Sequence, residues 1–244
     1  MYRYIQRLNV ILTTHKVCPS HGIDHAVAVM NHTENALNHA VFTVDERTKR
    51  CVLLAALLHD ADDRKFFPNN TNYENLRNIL ETSPIDEIEL IIRMVSLVSS
   101  SKNGDSIPHD AVDNEWLLYP RYADRLEAIG LIGVERCYQY ALTTQNPLYV
   151  SSTPCVTTEE EMWRVATPER YQHYSGVSDS MIDHYYDKLI RASMFPIKNE
   201  YFDKETELRR KPSIDFVLMF GKNKRISNED VTTFIKNYQD INQV

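Results

Sequence analysis

Glycine is scarce in this sequence, with 6 residues among 244. Neither GxxxxGKS, GxxxxGKT nor GxGxxG occurs, so the glycine-rich loops that hold nucleotide phosphates in P-loop and dinucleotide-binding proteins are excluded. The chain is long enough to bury a core without disulfide bonds, and its 43% hydrophobic and 25% charged residues are ordinary for a globular protein.

Cysteine is also sparse, and the four residues, Cys18, Cys51, Cys137 and Cys155, form no CxxC pair. This pattern predicts reduced thiols in a cytoplasmic protein. The N-terminal stretch MYRYIQRLNVILTTHK lacks the apolar run of a signal peptide, and no segment approaches the length of a membrane-spanning helix. We therefore expect a cytoplasmic protein without a membrane partner.

A basic excess is absent, since the formal net charge is -7. This balance argues against a nucleic-acid partner, and the short basic run GKNKR at 221–225 is interpreted as a solvated turn. A phosphorylated small molecule remains compatible with an acidic chain, because a bound metal and a few local Lys or Arg side chains reverse the sign inside one pocket.

Apolar residues recur at helical spacing along most of the chain, and no alternation of strands and helices is visible. Asp45 and Ser83 stand at positions typical of helix N-caps. The stretch SSSKNGDSIPHD and residues 144–158 are predicted to be irregular, whereas SIDFVLMF fits a strand or a buried helix. The sequence thus predicts an all-α protein with helices over 1–17, 22–39, 45–61, 72–81, 84–98, 111–128, 130–143, 178–194 and near the C-terminus.

Histidine and aspartate occur in or beside predicted helices in three short motifs: HGIDH at 21–25, HD at 59–60 and AD at 123–124. Histidine offers a neutral nitrogen and aspartate an anionic oxygen. A site with two of each suits Mn, Fe, Co, Ni or Zn better than Ca or Mg. The apolar helix CVLLAALLHDADD ends in a histidine and three carboxylates, which are costly to bury without a cation or another partner.

In these motifs and their order, the sequence resembles the HD-domain phosphohydrolase superfamily. The match is closest to a subgroup of small bacterial-type HD proteins reported as nucleotide pyrophosphohydrolases. Five segments carry it in order and cover most of residues 21–192: HGIDHAVAV, AALLHDADDRKF, VSLVSSSKNG, ADRLEAIGLIGVERCYQYA and IDHYYDKL. The resemblance implies an HD-domain helical bundle over 1–194 with a metal site in its centre. A partly irregular C-terminal extension, 195–244, is expected to pack on the same domain.

Residue by residue, the resemblance implies one divalent ion held by His25, His59, Asp60 and Asp124. Manganese is the expected metal, with Zn, Co, Ni, Fe or Mg as alternatives. Asp63 matches a family carboxylate that orients or deprotonates the attacking water. Five further positions are expected to contact substrate: His21, Lys65, Arg125, His184 and Lys188.

The resemblance further implies hydrolysis of a nucleoside triphosphate to the monophosphate and pyrophosphate. The alternatives are a 5'-nucleotidase or other phosphomonoesterase, and a catalytically inactive metal-bound nucleotide-sensing scaffold. Two departures bear on activity, because the subgroup has aspartate at the positions of Tyr122 and Glu127. A homodimer is compatible with a helical domain that exposes an apolar face.

Overall fold

The computed structural model describes residues 1–241 and their side chains, apart from those of Ser101 and Ile241. The predicted all-α class is confirmed, because the described residues form helices and turns and contain no strand. Within them, none of the helices combines the length and the hydrophobicity that a bilayer crossing requires.

The helices vary widely in length, from single turns to a helix of 24 residues. The first eight are α1 Tyr2–Thr14, α2 Ile23–Asn38, α3 Glu46–Leu57, α4 Glu74–Ile79, α5 Ile85–Val98, α6 Ser100–Asn103, α7 His109–Val112 and α8 Tyr119–Glu127. The remaining ones are α9 Gly130–Thr144, α10 Glu159–Val165, α11 Pro168–Gln172, α12 Met181–His184, α13 Ile190–Ala192, α14 Glu200–Asn223 and α15 Asn228–Ile241.

The chain divides into two compact units. The first comprises Met1–Asp124 and Pro196–Phe202, and the second comprises Arg125–Phe195 and residues 203–241. The boundary between a domain of 1–194 and an extension of 195–244 remains a prediction, and residues 242–244 lie outside the described part of the chain.

Helix α3 is the central helix of the first unit. Its last seven residues, from Cys51 to Leu57, are nearly all buried, and it packs between α2 and α5. Asp45 caps its start, as predicted, by accepting a hydrogen bond from the Thr48 amide at 2.7 Å. Helix α3 runs through the core. His59 and Asp60 follow it directly and therefore lie in the interior of the unit.

The second unit has its own apolar core, to which α9, α12, α14 and α15 contribute. The irregular connection predicted at 144–158 is observed between α9 and α10, and it is anchored by polar contacts. Thr153 Oγ1 donates to Asp183 Oδ2 at 2.7 Å, and the Tyr186 hydroxyl donates to the Pro154 carbonyl at 2.9 Å. The connection is therefore a fixed part of this unit.

Several predicted boundaries were wrong. The segment SSSKNGDSIPHD contains α6 and the start of α7, and the helix expected over 111–128 is divided into α7, a 3₁₀ turn and α8. Ser83 does not cap α5, whose N-cap position is Pro84. The helix expected over 178–194 is interrupted by a π-helical turn at Tyr185–Leu189. SIDFVLMF lies within α14 and is helical.

Candidate metal centre

The four predicted ligands all belong to the first unit. His25 lies in the first turn of α2, and Asp124 lies in α8. His59 and Asp60 follow the end of α3, in a turn rather than in the helix that was predicted to reach residue 61. The structure thus brings together residues that are separated by 34 positions between the histidines and by 64 positions between the aspartates.

Helix α3 ends before residue 61 because the His59 side chain binds a carbonyl oxygen that the next turn of the helix would otherwise use. His59 Nδ1 lies 2.8 Å from the Ala56 carbonyl oxygen, which an uninterrupted helix would offer to the amide of residue 60. A carbonyl oxygen only accepts, so Nδ1 carries a hydrogen. This bond fixes the ring and leaves Nε2 as the atom that offers a lone pair to the interior of the site.

The donor atoms of the four side chains converge. His25 Nε2 and His59 Nε2 are 3.2 Å apart, and Asp60 Oδ2 lies 3.3 Å from His59 Nε2 and 3.7 Å from His25 Nε2. These three residues form a group whose ligand atoms all lie within 4.8 Å of one another. Asp124 is not part of that group, but its Oδ1 lies 3.4 Å from His25 Nε2 and 3.6 Å from His59 Nε2.

The electrostatics of the site favour a positive charge between the two carboxylates. Burial disfavours the charged form of His59, yet Asp60 and Asp124 outweigh it and raise the imidazole pKa well above its ordinary value. Burial likewise opposes ionisation of Asp60 and Asp124, but the neighbouring imidazoles lower both carboxyl pKa values. Two ionised carboxylates in a partly buried site are stabilised by a cation, so the site favours a bound positive charge.

The donor set fits one divalent ion. Ligand atoms about 2.1 Å from one ion, at angles of about 90–120°, lie about 3.0–3.6 Å apart. The two Nε2 atoms lie 3.2 Å apart and each lies 3.3–3.7 Å from the Asp60 and Asp124 oxygens, which matches this spacing around the imidazoles. Asp60 Oδ2 is buried and makes no hydrogen bond to any described residue, which suits an oxygen that binds a metal. Two imidazole nitrogens and two carboxylates are typical ligands of transition metals.

Three other predicted site residues lie in the first unit. Asp63 Oδ1 accepts from the Lys65 amide at 2.9 Å, and Asp63 Oδ2 lies 3.9 Å from Lys65 Nζ. Burial and the charge of Asp60 raise the pKa of Asp63. His21 lies in a 3₁₀ turn before α2. Its ring centroid is 6.2 Å from that of His25.

The remaining three predicted contacts, Arg125, His184 and Lys188, belong to the second unit, and their part in substrate binding stays a prediction. Arg125 is buried. The His184 ring centroid lies 5.3 Å from that of Tyr174, and Lys188 Nζ lies 5.8 Å from the same ring. Both residues flank or occupy the π-helical turn, a feature frequent at functional sites.

The two departures from the subgroup pattern are accommodated by packing and by an ion pair. The side chain of Tyr122 is fully buried, and its ring centroid lies 6.1 Å from that of Phe202. Glu127 is buried, and its Oε1 pairs with Arg209 Nη1 at 3.0 Å. Neither substitution changes the identity of the four predicted ligands.

Comparison with solved structures identifies the fold. An HD-superfamily hydrolase from Bacillus thuringiensis superposes with a TM-score of 0.58 at 19% identity, over 93% of this chain and 97% of the other. The chain therefore has the HD-domain fold. No established family profile matches the sequence.

Two further structures share the fold of this HD-domain protein. A Lactobacillus plantarum protein has a TM-score of 0.68 at 21% identity and covers 91% of this chain and 95% of its own. Bacillus subtilis YpgQ in complex with ADP has a TM-score of 0.55 at 19% identity, over 88% of this chain and 97% of YpgQ. These likenesses establish the HD-domain fold.

One sequence relative shows the family of this chain. The uncharacterized protein L803 of Acanthamoeba polyphaga mimivirus is 38% identical over an alignment of 228 residues that covers 86% of this chain and 91% of L803. The two chains are therefore members of one family.

Proposed function

We propose that this protein is a metal-dependent phosphohydrolase that cleaves nucleoside triphosphates to the monophosphate and pyrophosphate. The observation that carries the proposal is the convergence of Asp60 and Asp124 on His25 and His59, with the two Nε2 atoms 3.2 Å apart and each 3.3–3.7 Å from both carboxylates. The choice of a nucleotide is supported by the family resemblance and by the ADP bound to YpgQ, which has the same fold.

A divalent metal held at this site would polarise a phosphoryl oxygen and acidify a bound water molecule. The two histidines and two aspartates hold and orient it, with His59 fixed in turn by the Ala56 carbonyl. Manganese is our proposed metal, because the two carboxylates supply the hard oxygen ligands that it favours.

Asp63 is proposed to orient the attacking water and accept its proton. It lies three residues beyond Asp60, and burial and the Asp60 charge raise its carboxyl pKa, which makes it a better proton acceptor than an ordinary aspartate. Lys65, on the same segment, has a half-exposed ammonium that suits a phosphate contact. His21, Arg125, His184 and Lys188 are proposed as the other substrate contacts.

The products of a nucleotide panel test the proposed reaction. The protein, purified and reloaded with Mn, Co, Ni, Zn or Mg, is incubated with nucleoside mono-, di- and triphosphates, and the products are identified by ³¹P NMR. We expect equimolar pyrophosphate and nucleoside monophosphate from triphosphates, with Mn the most effective metal. Orthophosphate from monophosphates would instead identify a phosphomonoesterase, and no turnover with any metal would identify a sensing scaffold.

A further inference from the structure

Asp62 lies between Asp60 and Asp63, yet its carboxylate binds a segment that begins eight residues later. Asn70 Nδ2 and the Asn75 amide donate to Asp62 Oδ1 at 2.5 and 2.9 Å, and the Leu76 amide donates to Oδ2 at 2.9 Å. Asn75 Nδ2 donates in return to the Ala61 carbonyl at 2.8 Å. Three hydrogen bonds thus join the turn after α3 to the start of α4, and a fourth joins it to Asn70.

Helix α4 needs this remote cap because its own N-cap residue supplies none. Tyr73 occupies the N-cap position in the left-handed region, with φ 57° and ψ 46°, and its side chain makes no capping hydrogen bond. The first bond of the helix runs from the Arg77 amide to the Tyr73 carbonyl. The amides of residues 74–76 have no acceptor within the helix, and Asp62 accepts from two of them.

The segment closed by these bonds, residues 64–73, carries groups that contact Asp63 and His21, two of the predicted site residues. Lys65 follows Asp63 and donates its amide to that carboxylate. The Phe66 ring centroid is 5.3 Å from that of His21, and the Phe67 ring centroid is 5.0 Å from that of His15. Because the segment starts next to Asp62 and returns to it at α4, the carboxylate of Asp62 fixes both ends.

We propose that Asp62 is a positioning residue that closes the loop 64–73 and thereby holds Lys65 in place for a substrate phosphate. Its carboxylate acts through the loop and touches neither the predicted metal ligands nor substrate. The loop-closing role stands on the hydrogen bonds alone, while its effect on substrate binding rests on the proposed function.

Trypsin sensitivity tests loop closure without any need for activity. Arg64 and Lys65 are exposed trypsin sites within the loop. We expect Asp62→Ala to raise the cleavage rate at these two sites about tenfold, because cleavage requires local opening. Asp62→Asn keeps one acceptor oxygen, so its cleavage rate should lie between those of the wild type and Asp62→Ala. Thr158→Ala, which removes the capping box of α10, is the matched control and should leave these sites unchanged.

Steady-state kinetics test the positioning role. For Asp62→Ala we expect KM for the nucleoside triphosphate to rise about tenfold and kcat to change less than about threefold, since a loosened phosphate contact weakens binding in the ground and transition states alike. We expect Thr158→Ala to lower Tm by about as much as Asp62→Ala does, but to leave KM unchanged.

Either of two results overturns the proposal: unchanged cleavage at Arg64 and Lys65 in Asp62→Ala, or raised cleavage with wild-type KM. A wild-type protein that hydrolyses no nucleotide contradicts the proposed function instead. The loop-closing role of Asp62 then stands or falls on the cleavage rates.

Discussion

Replacing Asp60 with asparagine is expected to lower kcat/KM by about 10³-fold and to weaken metal binding. The substitution keeps the shape of the side chain and removes the charge of a buried oxygen that is predicted to bind the metal and lies 3.3 Å from His59 Nε2. A bound metal supplies several kcal/mol of transition-state stabilisation, and about 1.4 kcal/mol corresponds to a factor of ten in rate. Steady-state assays with saturating manganese measure the loss.

Thermal unfolding with and without manganese gives the same variant a second readout. At 100-fold excess over Kd, a bound metal stabilises the native state by about 2.7 kcal/mol, which raises Tm by roughly 5–10 °C in a chain of this size. We expect this rise in the wild type and its loss in Asp60→Asn. Asp110→Asn is the matched control, because Asp110 pairs with Arg93 at the surface. A variant that kept a tenth of wild-type turnover and the full rise in Tm would contradict the assignment of Asp60.

Replacing Gly221 with alanine is expected to cause the largest loss of stability among single-methyl additions to the chain. A Cβ atom at this position in α14 would lie 1.6 Å from the Val156 carbonyl oxygen and 2.6 Å from its carbon. The obstacle is backbone, and it belongs to the anchored connection whose Pro154 carbonyl binds Tyr186. We expect a loss of about 3 kcal/mol or more, seen as a fall in Tm of roughly 6–12 °C.

Gly104→Ala is the control for Gly221→Ala, because it introduces backbone strain without a steric clash. Gly104 has φ 52°, but a Cβ there would meet no atom within 4 Å. We expect a smaller loss than for Gly221→Ala, of about 1–3 kcal/mol, because a φ of 52° with a ψ of −132° strains the backbone of alanine but brings no clash. A Gly221→Ala protein as stable as Gly104→Ala would show that α14 and the Val156 backbone do not approach as closely as described.

The long amphipathic helices were predictable because their signals are local and repeated. Helices α2 and α3 begin and end within a few residues of the predicted positions, and Asp45 caps α3 as its sequence position indicated. Helices α10 and α11 were not predicted, although each begins with a recognisable N-cap signal. Thr158 forms a capping box with Glu161, and Thr167 precedes Pro168. Their shortness gave too few apolar repeats to identify them.

The end of α3 and the course of the chain after it were not predictable from periodicity. The apolar pattern continues through Leu58, but the His59 ring bonds the Ala56 carbonyl and the helix stops. This stop depends on a side-chain contact that no sequence window records. The choice of helix for SIDFVLMF likewise depends on its place in the 24-residue α14.

The four predicted ligands could be named from the sequence because few residue types bind transition metals, and because the HD pair with two distant partners resembles a known pattern; the structure brings these residues together. The role of Asp62 was not identifiable, because its partners lie 8–14 residues further along the chain and two of them are backbone amides. In the sequence, HDADD shows three equivalent carboxylates. In the fold, one joins the predicted metal ligands, one closes a loop, and one pairs with Lys65.

The most direct measurement of the central claim is anomalous diffraction at the manganese edge from crystals grown with Mn²⁺. We expect one strong peak per chain, with His25 Nε2, His59 Nε2 and a carboxylate oxygen from each of Asp60 and Asp124 at about 2.0–2.4 Å. A peak bound by other residues, or one from which His25 or Asp124 points away, would contradict the four-ligand centre.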